Sequence, residues 1–458
     1  MHAESLIGRA LSKAISTPLW LDTPDRPAPR RPLDGETTAD LVVVGGGFTG
    51  LWAAVRAKER DPGRDVLLVE GDRIAEHASG RNGGFCDASL THGRANGLRR
   101  WPDEYDLLER LGAENFAGIA ATVDRYEMSC GFTPGGALSV ATRPHAIASL
   151  EPDVAGFLDR DDVRRLVRSP TYLAGRLETG EDATVDPARM AWELARVAEA
   201  LKVRIAEHTP VTRLRKHRDG LTVHSGATRI HAGQAVLATN AFTSLLGLRS
   251  LAVVPVYDYV LATEPLTPEQ WDSIGWQEPY GISDIGHHFH YYRRTADNRI
   301  LWGGYDAIYH YGRSIRAEHE HRPQTHRLLA RHFFETFPQL SGVSFTHRWA
   351  GVIDTCSRFC AFYGLTHGDR VAHAAGYTGL GVGASRFAAD VMLDLLSGAD
   401  TERTRLRMVR QQPVPFPPEP LAWAGIQLTR RAMAREDDTG RRTLWLRLLD
   451  RLGMGFAS

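Results

Sequence analysis

Residues 40–50, DLVVVGGGFTG, decide the fold. Asp40 to Val44 is a short apolar run rich in β-branched residues, which is typical of a strand buried on both faces of a parallel sheet. The glycines follow at once, and Phe48 to Arg60 then carries apolar residues at helical spacing. Val66 to Val69 is a second apolar strand, and it ends in Glu70. These elements predict a βαβ unit.

The glycine turn has a physical reason at each of its positions. Gly45 allows a tight turn, Gly47 lets backbone N–H groups approach a pyrophosphate, and Gly50 permits close packing of the helix. The helix N-terminus adds partial positive charge, and Glu70 would accept hydrogen bonds from both hydroxyls of an adenosine ribose. The pattern predicts a dinucleotide site, against the alternative of a glycine-rich turn that binds no nucleotide. It does not separate NAD from FAD.

Length and composition exclude several classes of protein. A chain of 458 residues is about three times the usual domain length, so we expect two interlocked domains. Hydrophobic residues make up 43% and charged residues 24%, as in a soluble globular protein rather than a disordered one. Basic and acidic residues balance at 55 each, so no net field would attract nucleic acid or an anionic membrane.

Cysteine usage and hydropathy bear on the location of the protein. The four cysteines are too few for a disulfide framework in a chain of this length, which favours a reducing compartment. Residues 1–20 lack the continuous apolar stretch of a secretory signal. No uncharged apolar run reaches the roughly 18 residues that span a bilayer. We therefore expect a cytoplasmic protein without a transmembrane segment.

Two further glycine-rich segments favour FAD over NAD. Residues 79–85, SGRNGGF, follow the second strand, where a loop could return over a pyrophosphate and a flavin. Residues 376–383, GYTGLGVG, form another turn into a helix far downstream. The N-terminal amides of that helix could stabilise the negative charge that a reduced flavin develops at its N1–C2=O edge.

These residues resemble the D-amino-acid-oxidase-like (DAO) family of FAD oxidoreductases, and within it the γ-glutamylputrescine oxidoreductase branch. The matching segments occur in family order between residues 39 and 383. They are ADLVVVGGGFTGLWAA (39–54), ASGRNGGF (78–85), VDPARM (185–190), AVLATNAFTS (235–244), VVPVYDYVLATEPL (253–266), YYRRTADNRILWGG (291–304), HRWAG (347–351) and GYTGLGVG (376–383).

The resemblance implies an α/β fold with two domains. One is an FAD-binding, Rossmann-like domain of the glutathione-reductase type, and the other is an α+β substrate domain whose antiparallel sheet covers the flavin. The expected segments are an N-terminal arm (1–38), the FAD-binding domain (39–130, 178–249 and 347–400), the substrate domain (131–177 and 250–346) and a C-terminal tail (401–458).

The resemblance also implies which residues contact FAD. Val211 should place its backbone near the adenine. The predicted cofactor-binding set is Gly45, Gly47, Phe48, Thr49, Gly50, Glu70, Ser79, Gly80, Arg81, Asn82, Gly83, Val211, Thr239, Gly376, Gly379, Leu380 and Gly381. We expect FAD to bind noncovalently. The alternative is a histidyl tether at His77, whose HASG segment resembles the attachment site of dimethylglycine-dehydrogenase-like members.

Four residues form the predicted catalytic set. Members of the family remove a hydride from a carbon next to an amine nitrogen and give an imine that water hydrolyses. The resemblance places Tyr257, Tyr259 and Trp349 as walls of the substrate pocket, where a cation on an aromatic face gains about 0.5–2 kcal/mol. His290 is a candidate polar residue of the same pocket. The alternative is that these are core or sheet-face residues.

The sequence departs from the amino-acid-oxidising branches where they bind a carboxylate. Their first clamping arginine follows the W-A-G segment, but here Trp349-Ala350-Gly351-Val352 is followed by Ile353. Their second arginine is also replaced, around residues 378–380. Without those two clamps a bidentate grip on an α-carboxylate is not available at the family's usual place, so an amine or N-substituted amine is favoured over a free α-amino acid. Arg293 and Arg348 remain candidate anion contacts, and the favoured alternative is that they form structural ion pairs.

Three neighbouring histidines invite a metal hypothesis, which we reject. Strand alternation puts His288 and His290 on one face and His287 on the other, and no carboxylate falls at ligand spacing. We predict no metal site.

The predicted function is FAD-dependent oxidation of a primary or secondary amine, γ-glutamylputrescine-like or N-alkyl, by hydride transfer to flavin N5. The alternatives are a flavin monooxygenase, which usually shows a late G-D segment absent here, and a non-catalytic flavoprotein that serves in assembly. The electron acceptor is O2 or a quinone or carrier protein. A lysine beside the flavin serves O2 reduction in sarcosine-oxidase-like relatives, and no lysine occurs between residues 217 and 458, which favours a slow oxidase or a dehydrogenase that delivers electrons to a quinone or carrier protein. The alternative is that an arginine, or a protonated histidine such as His288 or His290, takes the place of the lysine.

The tail carries one amphipathic segment. Its apolar face consists of Leu444, Trp445, Leu448, Leu449 and Leu452. We expect this face to dock on the protein's own domain rather than on a membrane surface.

Overall fold

The structure, a computed structural model, describes residues 2–455. Met1 of the predicted arm and residues 456–458 of the predicted tail lie outside the described residues. The helices are α1 (His2–Leu11), α2 (Phe48–Arg60), α3 (Arg94–Arg100), α4 (Tyr105–Arg125), α5 (Arg160–Leu166), α6 (Pro187–Ala200), α7 (Pro268–Ile274), α8 (Pro323–Thr336), α9 (Gly381–Ser397), α10 (Glu402–Arg405), α11 (Arg407–Arg410), α12 (Leu421–Thr439) and α13 (Leu444–Arg451).

Within the described residues, twenty strands form three sheets. They are β1 (Glu36–Val44), β2 (Val66–Val69), β3 (Phe85–Asp87), β4 (Thr133–Pro134), β5 (Ala137–Ala141), β6 (Phe157–Leu158), β7 (Ala174–Glu178), β8 (Asp182–Thr184), β9 (Arg204–Ala206), β10 (Arg213–Lys216), β11 (Leu221–Ser225), β12 (Thr228–Leu237), β13 (Val253–Thr263), β14 (Gly281–Asp284), β15 (His290–Arg294), β16 (Ile300–Gly304), β17 (Ile308–Tyr309), β18 (Phe345–Cys356), β19 (Phe362–Thr366) and β20 (Val371–Ala375).

The first sheet has eight strands and contains the predicted βαβ unit. Its order is β10-β11-β12-β1-β2-β9, with β20 paired to β12 and β19 paired to β20. Strand β1 pairs in parallel with both β2 and β12, as expected for a strand buried on both faces. Its side chains alternate between two cores. Leu41 and Val43 pack in the large core with α2, α6 and α9, whereas Val42 and Val44 pack on the opposite face.

The second sheet has nine strands in the order β17-β13-β16-β15-β14-β5-β7-β6, with β18 paired to β13. The sequence predicts an antiparallel sheet, and the pairing is antiparallel except between β5 and β14, which run in parallel. Helices α1 and α8 pack against its outer face and form a second core. A third, three-stranded sheet has the order β3-β8-β4.

Strand β18 departs from the expected division of the chain. The prediction assigned residues 347–400 to the nucleotide-binding domain, but β18 pairs with β13 along its length, from Val253↔Cys356 to Thr263↔Phe345. Strands β16 and β17 pair with the other edge of β13, so β18 covers an edge that would otherwise be open. The later part of that segment, with β19, β20 and α9, lies with the first sheet.

Residues 401–455 of the C-terminal tail form four helices, and the predicted apolar face of α13 is divided between core and solvent. Leu446 and Leu449 pack with Ala432 of α12, and Trp445 contacts the same cluster. In contrast, three leucines remain exposed: Leu444 by 81%, Leu448 by 46% and Leu452 by 55%. Among residues 2–455, no helix combines the length and the apolar composition needed to cross a membrane.

Candidate active site

The glycine turn between β1 and α2 is as tight as the sequence predicts. Gly45 has a φ of +110°, and a Cβ atom there would lie 2.5 Å from the carbonyl oxygen of Ala238. A Cβ atom on Gly50 would lie 1.9 Å from the carbonyl oxygen of Gly45, so only glycine lets α2 start this close to the strand. The amide of Phe48, the first residue of α2, donates a 2.9 Å hydrogen bond to Ser79 Oγ. The turn therefore presents a helix N-terminus, which favours an anion.

Glu70 follows β2 directly and lies beside that turn. Its carboxylate accepts hydrogen bonds from the amides of Gly46, at 2.5 Å, and Asp72, at 2.8 Å. The side chain is buried, and burial raises its pKa although both amides act to lower it. An acceptor at the carboxyl end of the second strand is suited to the hydroxyls of a ribose.

The loop after β2 folds back over the turn. Its short 3-10 helix, Ala78–Gly80, is held by the side-chain amide of Asn82, which donates to two of its carbonyl oxygens at 3.0 and 3.1 Å. Arg81 forms an ion pair with Glu320 and also donates to the carbonyl oxygen of Ala350 at 3.3 Å. These contacts fix the loop against the second sheet.

The second glycine segment lies next to the first. Strand β20 ends at Ala375 and α9 begins at Gly381. The buried carboxylate of Asp354 holds the turn between them by accepting hydrogen bonds from the amides of Gly376 (2.6 Å) and Tyr377 (3.2 Å). Burial raises the pKa of Asp354 to about 7. A Cβ atom on Gly381 would meet no atom within 4 Å, so the first turn of α9 borders open space.

A cavity of about 980 Å³ lies beside both glycine turns. On one side it is lined by the start of α2, the loop of residues 78–83 and the turn of residues 377–382. On the other side it is lined by β13, through Val256 and Asp258, and by Tyr291 of β15. Most of the lining is apolar. A concave, mostly apolar space with a few polar groups is typical of a small-molecule site.

The tail supplies another wall of this cavity. Side chains of both α12 and α13 line it, among them Leu421, Ile426 and Leu449. Asp437 of α12 anchors this wall by accepting hydrogen bonds from the amides of His287 (2.8 Å) and His288 (2.9 Å), and it also pairs with His288 Nδ1 at 2.9 Å. The loop before β15 and the tail are thereby joined at the rim of the cavity.

Comparison with known proteins identifies the family. Residues 40–395 match the family of FAD-dependent oxidoreductases called DAO. This range contains both glycine turns and nearly all of the two large sheets, but not the helices α12 and α13 that form the C-terminal wall of the cavity. The chain belongs to this family. The resemblance found in the sequence is confirmed, and the protein is an FAD-dependent oxidoreductase of the DAO family.

Individual relatives support the same conclusion. The chain is 31% identical over 397 residues to the gamma-glutamylputrescine oxidoreductase of Escherichia coli (strain K12), covering 82% of this chain and 87% of that protein. It is 27% identical over 413 residues to the probable oxidoreductase OrdL of Rhizobium meliloti (strain 1021), covering 83% and 89%. The glycine oxidase from Geobacillus kaustophilus superimposes with a TM-score of 0.65 at 19% identity, covering 80% and 96%. The DAO-type α/β fold predicted from the sequence is confirmed.

The residues of this DAO protein fit its FAD cofactor. Gly45 and Gly50 leave no room for a side chain, and the turn ends in a helix N-terminus, which suits a pyrophosphate. The amides of Gly46 and Asp72 hold the buried Glu70 carboxylate beside the turn, where it could accept hydrogen bonds from a ribose. The cavity touches the first turns of both α2 and α9, and Gly379 and Gly381 border it without a side chain.

The predicted cofactor residues divide into those that line the cavity and those that lie behind it. The lining residues are Phe48, Thr49, Ser79, Arg81, Asn82, Gly83, Gly379, Leu380 and Gly381. Five further glycines shape the turns, namely Gly45, Gly47, Gly50, Gly80 and Gly376. The amide nitrogen of Thr239 lies 3.6 Å from the Cβ position of Gly45. Val211 is half-buried against the core on the outer face of the first sheet.

Tyr257 and Tyr259 lie on the face of β13 opposite the cavity, which corrects the predicted pocket wall. Both are fully buried in the core beneath α8, and their hydroxyls donate to carbonyl oxygens of the segment 316–319 at 3.1 and 2.7 Å. Because side chains alternate along a strand, the cavity instead receives Val256 and Asp258. The prediction chose the wrong face of this strand.

His290 and Trp349 also lie outside the lining of the cavity. His290 is buried and pairs with Asp284 at 2.8 Å, while its neighbour Tyr291 reaches the cavity. Trp349 donates from Nε1 to the carbonyl oxygen of Arg81 at 2.8 Å, so it supports the loop that covers the glycine turn. None of the four predicted catalytic residues lines the cavity.

Sequence reasoning missed three features of the site: Asp258, Tyr291 and the wall built by the tail. A carboxylate between two tyrosines in an otherwise apolar strand, PVYDYV, is a detectable signal for Asp258. Tyr291 can be predicted as a cavity residue only once it is known which alternate side chains of β15 face the cavity. The tail carries no motif that relates it to the cavity.

Proposed function

We propose that the protein oxidises the C–N bond of a primary or secondary amine, either γ-glutamylputrescine-like or N-alkyl. Bound FAD would accept at N5 a hydride from the carbon next to nitrogen, and water would hydrolyse the resulting imine. The name of the Escherichia coli relative supports this substrate class. The cavity beside the two glycine turns is the proposed place of the reaction.

The observation that carries the proposal is that the arginines lining the cavity are already engaged in ion pairs. Among the described lining residues, the arginines are Arg81 and Arg430. Arg81 is paired with Glu320, and Arg430 is paired with Asp306 at 2.8 Å. Ile353, which follows the W-A-G-V segment, also lines the cavity. A substrate carboxylate would therefore find no unpaired bidentate partner here, which favours an amine over an α-amino acid.

We propose that FAD binds noncovalently. The turn of residues 45–50 would hold the pyrophosphate, Glu70 the ribose, and the first turn of α9 the flavin edge that becomes negative on reduction. His77 is half-exposed, and its ring lies 4.9 Å from the ring of Phe242 rather than in the lining of the cavity. This position supports noncovalent binding over a histidyl tether.

We further propose that the reduced protein passes its electrons to a quinone or a carrier protein in preference to O2. No lysine is found among the described residues that line the cavity. Lys58, in α2, donates to the carbonyl oxygens of Pro62, at 2.5 Å, and Arg64, at 2.9 Å. A cation that would stabilise nascent superoxide is thus not supplied by lysine. Reoxidation in aerated buffer that keeps pace with flavin reduction would contradict this proposal.

Two proposals concern location and organisation. A cytoplasmic location is supported by the four cysteines, all of which are buried free thiols. The division into an FAD-binding and a substrate domain follows the sequence prediction, with residues 347–356 moved to the substrate domain because of β18.

Anaerobic mixing of the purified protein with polyamines, N-methyl amines and free amino acids tests the proposed function. We expect amines to bleach the flavin absorbance, with aldehyde and ammonia or a smaller amine as products, and glycine and D-alanine to leave it unchanged. Rapid reduction by glycine or D-alanine would contradict the substrate class. A flavin that no amine bleaches would favour the non-catalytic alternative.

A further inference from the structure

Asp258 is the acid of β13 that faces the cavity. Its neighbours on the same face of the strand, Val254 and Val256, are apolar. Burial and the nearby Asp306 raise the pKa of Asp258, whereas the Tyr291 hydroxyl and two backbone amides lower it. No cation is among these groups. A carboxylate that is removed from water without a positive partner is costly, and such groups are frequent at sites that receive a charged ligand.

The position of Asp258 is fixed by Tyr291. The hydroxyl of Tyr291 donates a hydrogen bond to Asp258 Oδ2. A Cβ atom on Gly83 would lie 2.7 Å from the Tyr291 ring, and one on Gly303 would lie 2.6 Å from it, so the ring fits between two glycines. The edge contact with Phe85, at a centroid distance of 5.7 Å, completes this support.

Two further acids among the described lining residues, Asp354 and Asp87, hold backbone turns. Asp354 accepts from two backbone amides of the second glycine turn. Asp87 accepts from the amide of Ser89 at 2.9 Å. Asp258 accepts from the Tyr291 hydroxyl and from the amides of Tyr259 and Gly304, and a carboxylate has about four acceptor positions, so it retains capacity for one N–H donor in the cavity.

We propose that Asp258 binds the ammonium group of the substrate and removes one of its protons, with Tyr291 as the positioning residue. This inference rests on the proposed function. In the step, one N–H bond of the ammonium breaks, its electron pair stays on nitrogen, and the proton forms an O–H bond with Asp258 Oδ1. The neutral amine then has the lone pair that loss of hydride from the adjacent carbon requires. A quaternary ammonium, which has no proton to give, is excluded as a substrate.

The acidity of Asp258 suits this role. Burial raises its pKa to about 6, while the hydrogen bond from Tyr291 acts to lower it. The group is therefore ionised near neutral pH, yet it accepts a proton more readily than an ordinary aspartate does.

The first test uses the holoenzyme and two ligands of the same shape. In tert-butylamine the carbon next to nitrogen carries no hydrogen, so it cannot be oxidised to an imine, and tert-butanol is its uncharged counterpart. We expect the wild type to bind tert-butylammonium about tenfold or more tightly than tert-butanol, by calorimetry or perturbation of the flavin spectrum. Equal binding of the two ligands by the wild type would overturn the proposal.

The second test uses the isosteric variant Asp258→Asn. We expect it to keep FAD, to bind the two ligands equally, and to be reduced by amines about 10- to 100-fold more slowly at neutral pH. Asp284→Asn is the matched control, since that carboxylate lies in the same sheet but pairs with His290 outside the cavity. It should bind tert-butylamine as the wild type does.

The outcomes separate this inference from the proposed function. A wild type that amines reduce, together with an Asp258→Asn variant that still prefers tert-butylamine, would overturn the role of Asp258 alone. A wild type that no amine reduces would contradict the proposed function itself. If Asp258→Asn lost FAD, the comparison of the two ligands on the wild type would decide without it.

Discussion

The hydroxyl of Thr49 donates a 2.8 Å hydrogen bond to the hydroxyl of Tyr377, which lies 328 residues further along the chain. Thr49 is in the first turn of α2, and Tyr377 is in the turn before α9. Both side chains are buried, so the bond is shielded from water. It joins the two glycine turns, and with them the two helix N-termini that border the cavity.

This bond can be measured with a double-mutant cycle. Thr49→Val and Tyr377→Phe should each lower the free energy of unfolding by about 1 kcal/mol, because each leaves the partner hydroxyl buried without its hydrogen bond. The double variant should cost less than the two single effects together, by about 0.5–1 kcal/mol. Urea unfolding in excess FAD measures all four proteins. Strict additivity would contradict a direct bond between the two residues.

Gly47→Val should give a colourless protein. A Cβ atom at this position already lies 2.9 Å from Ser79 Oγ, and a branched side chain would fill the space where a pyrophosphate must approach the turn. The visible absorbance of the purified variant measures FAD content. Gly342→Val is the control, because a Cβ atom there meets no atom within 4 Å, and it should remain yellow. Full FAD content in Gly47→Val would contradict the placement of the cofactor.

Substitutions on the two faces of β13 should have opposite consequences. Val256→Phe places a large ring in the cavity, so we expect the KM for amines to rise or turnover to fall about tenfold or more, with thermal stability nearly unchanged. Tyr257→Phe removes a hydroxyl that bonds the segment 316–319, so we expect a loss of about 1 kcal/mol of stability and an unchanged KM. A strong effect of Tyr257→Phe on KM would restore that tyrosine as a pocket wall.

The rate of amine oxidation should depend on the ionisation of Asp258. Burial raises its pKa to about 6, Asp306 acts in the same direction, and the Tyr291 hydroxyl and the amides of Tyr259 and Gly304 act to lower it. Only the ionised form accepts a proton, so kcat/KM should rise with pH through about 6. Tyr291→Phe removes a group that lowers the pKa and should move the inflection to higher pH. Asp258→Asn should lack the inflection.

Loss of Asp437, which anchors the C-terminal wall, should make the tail more sensitive to a protease. Asp437→Ala removes the acceptor of two backbone amides and the partner of His288, so trypsin should cut at the arginines of α12 and α13 several-fold faster. Asp438→Ala is the control, since that neighbouring side chain is 69% exposed and pairs with the surface residue Arg143 instead of with the loop before β15. Equal cleavage of the two variants would show that Asp437 does not hold the wall.

The first glycine turn could be predicted because its requirements are local. The spacing of Gly45, Gly47 and Gly50 reports backbone that no side chain can share, and Glu70 follows at the end of the next strand. These constraints act within about 30 residues, so a single sequence contains them. The same holds for the turn before α9.

The substrate side could not be predicted in the same way because it depends on tertiary packing. The alternation in VPVYDYV is plain, but either face of β13 could meet the cavity. The choice is made by α8 and the segment 316–319, which bury Tyr257 and Tyr259. Aromatic rings favoured the wrong face because they suit a protein core as well as a binding site.

The C-terminal wall has a consequence for how such a protein diversifies. The part that matches the family ends at residue 395, whereas the side chains of α12 and α13 that line the cavity lie between residues 421 and 449. The segments proposed to bind FAD and much of the surface that would contact an amine are thus encoded in separate stretches of the gene. Exchange or drift of one continuous C-terminal segment could change the preferred amine while the inherited redox centre stays the same.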